Sequence, residues 1–234
     1  MIRFILFITM ATALLSSTTK EEVKTYTVNK LPGKEILVTG QGDDPRWKKA
    51  VELTDFIYPW EKETPPFTSF KALHSKNWLY LLYKVKDDHI NVLVKTNEKS
   101  EVISSDRVEI FFRKDEHMLP YYGLEMDPNG RVYDYMAEYH RKFTSTWSWP
   151  TGELLIKANK VTDGYTVEVA ISKKSLEQLE LIKGKIIEAG IYRGDCVEIT
   201  EDNSKIKWIS WVRPDSPTPN FHIPSSFGVL MLED

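Results

Sequence analysis

A single cysteine, Cys196, stands among the 234 residues. No intrachain disulfide can form, so stability has to come from packing. With no base beside it in sequence, Cys196 reads as a small buried or half-exposed residue rather than a nucleophile. Charge of one sign is concentrated nowhere: 31 basic residues oppose 34 acidic ones, for a formal net charge of -3. That leaves no electrostatic footprint for nucleic acid or an anionic membrane surface. No apolar run reaches the roughly 18 residues that a membrane span needs. The Gly-x-Ser-x-Gly turn of common esterases is missing, and the densest glycine cluster, Gly40-Gln41-Gly42, precedes an acidic pair instead of forming a phosphate loop. The five histidines, at 74, 89, 117, 140 and 222, include no pair at zinc-binding spacing. Internal repeats and domain-separating linkers are absent as well.

What is present suits one domain with a substantial core, since 41% of the residues are hydrophobic and 12% aromatic. Met1-Ile2-Arg3, an apolar run from Phe4 to Leu15 and the small residues Ser16 to Thr19 have the layout of an export signal. Residues 1–19 are therefore expected to direct the chain to the periplasm, cell surface or exterior. Residues 20–25 are read as a mobile polar segment, and 26–234 as the domain, a monomer.

Side chains alternate with period two along Trp78 to Lys86, Val108 to Arg113 and Tyr165 to Ile171. Asp127-Pro128-Asn129-Gly130 predicts a turn between strands at 121–126 and 131–138, and Thr162-Asp163-Gly164 one between 154–161 and 165–171. Helix is confined to Lys173 to Leu179 after the cap Ser172, with a turn or two at Pro45 to Leu53. The expected fold is all-β, an antiparallel β-sandwich of jelly-roll or immunoglobulin-like kind with one or two short helices.

Chemistry points to aromatic faces more than to reactive groups. Seven tryptophans are many for this length, and Trp147-Ser148-Trp149 cannot turn both rings inward if extended. The terminal string combines Trp208, Trp211 and Arg213 with Phe221-His222, flat rings beside polar donors, which is what a sugar ring requires. Asp87-Asp88 closes one strand and Asp106 opens another, a pattern that could gather oxygen ligands for a structural calcium, and Asp43-Asp44 forms a second acidic corner. Carboxylates for glycoside hydrolysis exist in Glu109, Glu125, Asp127, Asp134, Glu138 and Glu168, but no spacing singles out a pair.

Asp106-Arg107-Val108-Glu109-Ile110-Phe111-Phe112 and Pro224-Ser225-Ser226-Phe227-Gly228 together give the chain its resemblance to a family 9 carbohydrate-binding module. Asp44 and Trp47, Leu79-Tyr80 running to Val85-Lys86-Asp87, Gly164 to Ile171, and Ser210-Trp211 extend it in the same order. The resemblance implies a two-sheet sandwich with structural calcium that binds ends of glucans or xylans without cleaving them. It also implies that Phe221 takes the place of a stacking tryptophan and that Glu109 hydrogen-bonds the sugar. The partner tryptophan is replaced by Ile103, and the arginine on the next strand by Glu125 or Met126. Arg193 or Arg213 is expected to supply the guanidinium instead, and Trp147 or Trp149 the second ring. The expected ligand-binding set is thus Phe221, Glu109, Trp147, Trp149, Arg193, Arg213 and His222, holding an oligosaccharide or polysaccharide ligand, a neutral sugar bound with modest affinity. Three alternatives accompany it: a glycoside hydrolase using Glu109 with Glu125 or Asp134, an envelope interaction module whose sugar site has decayed, and a haem-binding relative drawing on Met118, Met126, Met136, His140 or His222.

Overall fold

Alternation of apolar side chains builds this molecule, and its consequences can be followed strand by strand. The computed structural model describes residues 23–201 and 203–234; the export signal expected over residues 1–19 lies outside them. The strands are β1 (Thr25–Lys30), β2 (Thr68–His74), β3 (Trp78–Lys86), β4 (Arg107–Arg113), β5 (Tyr121–Met126), β6 (Val132–Glu138) and β7 (Lys142–Thr144). They continue as β8 (Leu154–Val161), β9 (Gly164–Ser172), β10 (Ile182–Lys183), β11 (Ile186–Ile199), β12 (Ser204–Ser210) and β13 (Gly228–Leu232). One α-helix, α1 (Lys173–Gln178), and short 3-10 turns at Pro45–Lys49, Lys99–Ser104 and Pro224–Ser226 complete the described elements. No helix among the described residues is long and apolar enough to cross a membrane.

Hydrogen bonding links the strands in the order β7-β6-β5-β4-β11-β13-β1-β2-β3-β9-β8, with β10 and β12 both on β11. The chain is all-β, but the purely antiparallel expectation needs correction. β1 pairs parallel with β13 through Thr25–Val28 and then parallel with β2 through Asn29 and Lys30. One strand therefore passes from one half of the sheet to the other, and the whole is a single mixed sheet curled onto itself. Both hairpins form where their turn residues predict. Met126 faces Val132 across the first, where Gly130 at φ 77° donates its N–H to the Asp127 carbonyl, and Val161 faces Gly164 across the second.

The main core lies between the two halves. Val108, Ile110 and Phe112 of β4 and Leu124 and Met126 of β5 meet Phe70, Leu79, Leu81, Tyr83, Val167, Val169 and Ile171 from the other half, with Trp211 at one end. Full burial of such side chains contributes about 1.5–3 kcal/mol each, which is how a disulfide-free chain holds together. Gly228 is required where β13 passes Trp211, because a Cβ there would lie 2.6 Å from the indole.

Each half also has its outer face covered in part. Residues 31–50 lie over β2, β3 and β9, where Leu31, Ile36 and Trp47 pack on Leu73, Tyr80 and Leu82. The fully buried Glu168 on β9 clamps this cover. It accepts hydrogen bonds from Thr39 N, Gly40 N and Trp47 Nε1 at 2.8, 2.8 and 2.9 Å, and from Thr39 Oγ1 at 3.2 Å. Replacing it leaves four donors without their acceptor. Glu168→Ala is expected to lower unfolding stability by about 3 kcal/mol in urea denaturation, and a loss below about 1 kcal/mol would show that the cover is held by apolar packing alone.

Candidate functional site

The outer face of the other half, formed by β4, β5, β6 and β11, is aromatic and is roofed by the segment between β12 and β13. Along β4 the inward residues are Val108, Ile110 and Phe112, so Arg107, Glu109 and Phe111 point outward. On β5 the same rule turns Tyr121 and Glu125 outward. Phe111, Tyr121, Tyr135, Tyr192, Phe221 and Phe227 form a second core here, with Trp60 and Trp208 packed against it.

At its edge is a small cavity of about 60 Å³, walled by Trp60, Trp208, Arg107, Glu109, Glu125 and the 219–222 segment, with Arg141 at the rim. Arg107 sits at its floor. Its cross-strand partner on β11 is Gly194, where a Cβ would come within 2.8 Å of the guanidinium, so the absence of a side chain makes the room. Nε donates to Glu125 Oε2 at 2.7 Å, and Nη1 to the carbonyls of Ile103 and Ser105 at 2.9 and 3.2 Å. Glu109 Oε1 lies 2.9 Å from the same Nε but off the N–H direction, and it is buried without a hydrogen bond. Nη2 makes no hydrogen bond among the described residues. The Trp208 ring covers the guanidinium at 5.1 Å, a cation-π contact.

Burial shapes the titration of this group. Desolvation and the neighbouring Glu125 charge hold the Glu109 carboxyl well above the usual range, against the pull of Arg107. Burial works against the Arg107 charge too, yet Glu109 and Glu125 more than offset it, so its pKa is raised. His222 is pushed down to about 3 by burial and then by Arg141 and Arg107, which keeps the ring neutral. Its Nδ1 meets Tyr121 Oη at 2.9 Å, and the ring stacks on Phe111 at 5.2 Å.

Of the residues expected to bind a ligand, Glu109, Phe221 and His222 come together at this cavity. Phe221 is only 5% exposed, with one face stacked on Tyr192 at 4.1 Å and the ring flanked by Trp60 and Trp208 at 5.4 and 5.7 Å. It backs the wall, and the two tryptophans present the accessible surface. The remaining four lie elsewhere. Trp149 is buried in the main core with Nε1 on Ser175 Oγ, and Trp147 packs on Tyr122, because Asp134 accepts the Trp149 N–H and pulls that loop across the sandwich edge. Arg213 is exposed and donates to the Pro59 carbonyl. Arg193 points inward from β11, fully buried, to Asp87 and Asp195.

The expected calcium corner takes a related form. Carboxylate oxygens of Asp87, Asp106 and Asp195 lie within 4.8 Å of one another, while Asp88 is exposed and outside the group. All six oxygens already accept a hydrogen bond. Asp87 takes His89 N and Arg193 Nη2, Asp106 takes Asn91 N and Cys196 N, and Asp195 takes Arg193 Nη2 and Tyr58 Oη. Arg193 is the counter-charge of this set, and each oxygen keeps a lone pair beyond the hydrogen bond it accepts. Asp43 and Asp44 serve the 31–50 cover, with Asp44 capping the turn at Arg46 N.

Arg107, Trp60 and Arg141 escaped the sequence reading. Arg107 alone carried a usable signal, since it stands two residues from Glu109 on an alternating strand and so shares its face.

Three solved structures resemble the fold. A Bacteroides uniformis protein put forward as carbohydrate-binding aligns at TM-score 0.71 and 17% identity over 91% of this chain and 100% of its own. A family 9 carbohydrate-binding module of Caldicellulosiruptor kristjanssonii solved with glucose aligns at 0.61 and 21% identity, covering 90% of this chain and 96% of its own. The cellotriose complex of a family 9 module from the same organism aligns at 0.58 and 19% identity, covering 90% and 94%. No curated protein matches the chain. The carbohydrate family 9 binding domain-like model matches residues 38–234, and the chain belongs to that family.

Proposed function

We propose that the protein is a non-catalytic sugar-binding protein that holds a sugar or an oligosaccharide end over Arg107, between Trp60 and Trp208. The observation that carries this reading is the buried Arg107 with Glu109 and Glu125 beside it, walled by two tryptophans. Indole surfaces suit the CH faces of a pyranose, and Nη2 of Arg107 offers a charged donor to one of its oxygens. The glucose and cellotriose complexes of the Caldicellulosiruptor modules support this ligand class.

Hydrolysis is the weaker reading. It requires an acid and a separate base or nucleophile flanking the glycosidic bond. Here Glu109 and Glu125 converge on one guanidinium, and Asp134 is engaged by Lys99 and the Trp149 N–H outside the cavity.

Isothermal titration with glucose, cellotriose and xylo-oligosaccharides tests the proposal. Measurable binding is expected, weakened about tenfold or more by Trp208→Ala in a variant whose fold is confirmed by circular dichroism. Absence of heat with every sugar at millimolar concentration, or an unchanged affinity in the variant, would count against it.

At the aspartate corner our reading is that Arg193 supplies the positive charge in place of calcium. Chelation with EDTA is then expected to move the melting temperature by less than about 2 °C. A drop well beyond that, reversed by calcium, would restore the metal.

A further inference from the structure

The free polar groups around the cavity are unequal in kind. Arg141 stands at its rim, at the left-handed position (φ 62°) of the β6–β7 turn, and makes no hydrogen bond or ion pair among the described residues. Arg107 leaves Nη2 unused. Asn220 accepts the His222 N–H through Oδ1, which leaves its amide NH2 free. The Tyr121 hydroxyl and His222 Nδ1 are paired with each other at 2.9 Å. Arg141, Arg107 Nη2 and the Asn220 amide NH2 are all donors.

Acceptors are fewer: Glu109 Oε1 is buried out of reach, and Glu125 Oε2 is taken by Arg107 Nε. Both carboxylates face the Arg107 guanidinium, which leaves Arg141 without a counter-charge among the described residues. A neutral pyranose offers hydroxyls that each donate and accept, and it would leave this wall short of acceptors. A carboxylate, which only accepts and carries the opposite charge, satisfies it.

We infer that the sugar end held here is an acidic one, a hexuronic acid residue whose carboxylate is taken by Arg141 and Arg107 Nη2 while its ring lies against Trp60 and Trp208. This inference rests on the sugar-binding reading above and narrows it to one ligand class. Arg141 is a direct ligand contact in this view, and it is the exposed member of the pair, so it can be changed without opening the core.

The test is isothermal titration at pH 7 and low salt with glucuronate and galacturonate, their methyl esters, and the neutral parents glucose and galactose. At least one acid is expected to bind about tenfold tighter than its parent and its ester, and Arg141→Gln to bring the acid down to the level of the parent. Equal or tighter binding of the neutral sugars overturns this inference and leaves the sugar-binding reading standing. A preference for the acid that survives Arg141→Gln overturns the assignment of its contact. If no sugar binds, both readings fall together.

Discussion

A guanidinium withdrawn from water is the constraint on which this site depends. Arg107 is 3% exposed, and a buried charge is tolerated only with opposite charge and hydrogen bonds around it. Glu109 two residues along the same strand, Glu125 across the ladder and the carbonyls of Ile103 and Ser105 supply them. Each of those partners is fixed by the register of β4 against β5 or by the turn that leads into β4. Slipping the pairing by one residue would send Arg107 into the apolar core and Phe112 toward solvent, so core packing and site geometry enforce the same alignment.

The rest of the fold serves that alignment. β1, by pairing parallel with β13 and then with β2, ties the sheet half that carries the site to the half that closes the core. The close pass of β13 over Trp211 at Gly228 sets where the 211–227 segment ends, and that segment lays Phe221 on Tyr192 and His222 on Phe111. Aromatic stacking thereby makes a rigid rear wall from residues far apart in sequence. The accessible surface then falls to Trp60 and Trp208, whose rings flank Phe221.

Local patterns were legible wherever they determine structure locally. The alternation of β3, β4 and β9 and the turns at 127–130 and 162–164 lie where the residues say. β1 was not legible in its direction, because the alternation in Thr25–Lys30 is the same whether its neighbours run parallel or antiparallel. In the site, Glu109 was readable through its motif, whereas Arg107 looked like any solvated strand charge until Gly194 and Trp208 were placed over it. Trp147 and Trp149 misled for the opposite reason. Their polar neighbours suggested that one of the two rings is exposed; Asp134 and Ser175 bind the backbone and indole N–H of Trp149 and hold its ring in the core, and Trp147 packs half-buried on Tyr122. Arg193 was expected at the ligand, yet its strand parity points it inward, to the aspartates that the sequence had offered to a metal.

The central claim is that a sugar docks over Arg107 between Trp60 and Trp208, and the indole N–H signals of the tryptophans report on it directly. Titrating 15N-labelled protein with a bound sugar should shift the Trp60 and Trp208 indole resonances and leave those of Trp147 and Trp149 in place. Shifts confined to Trp147 and Trp149, with Trp60 and Trp208 unmoved, would contradict the account and return the site to the sandwich edge.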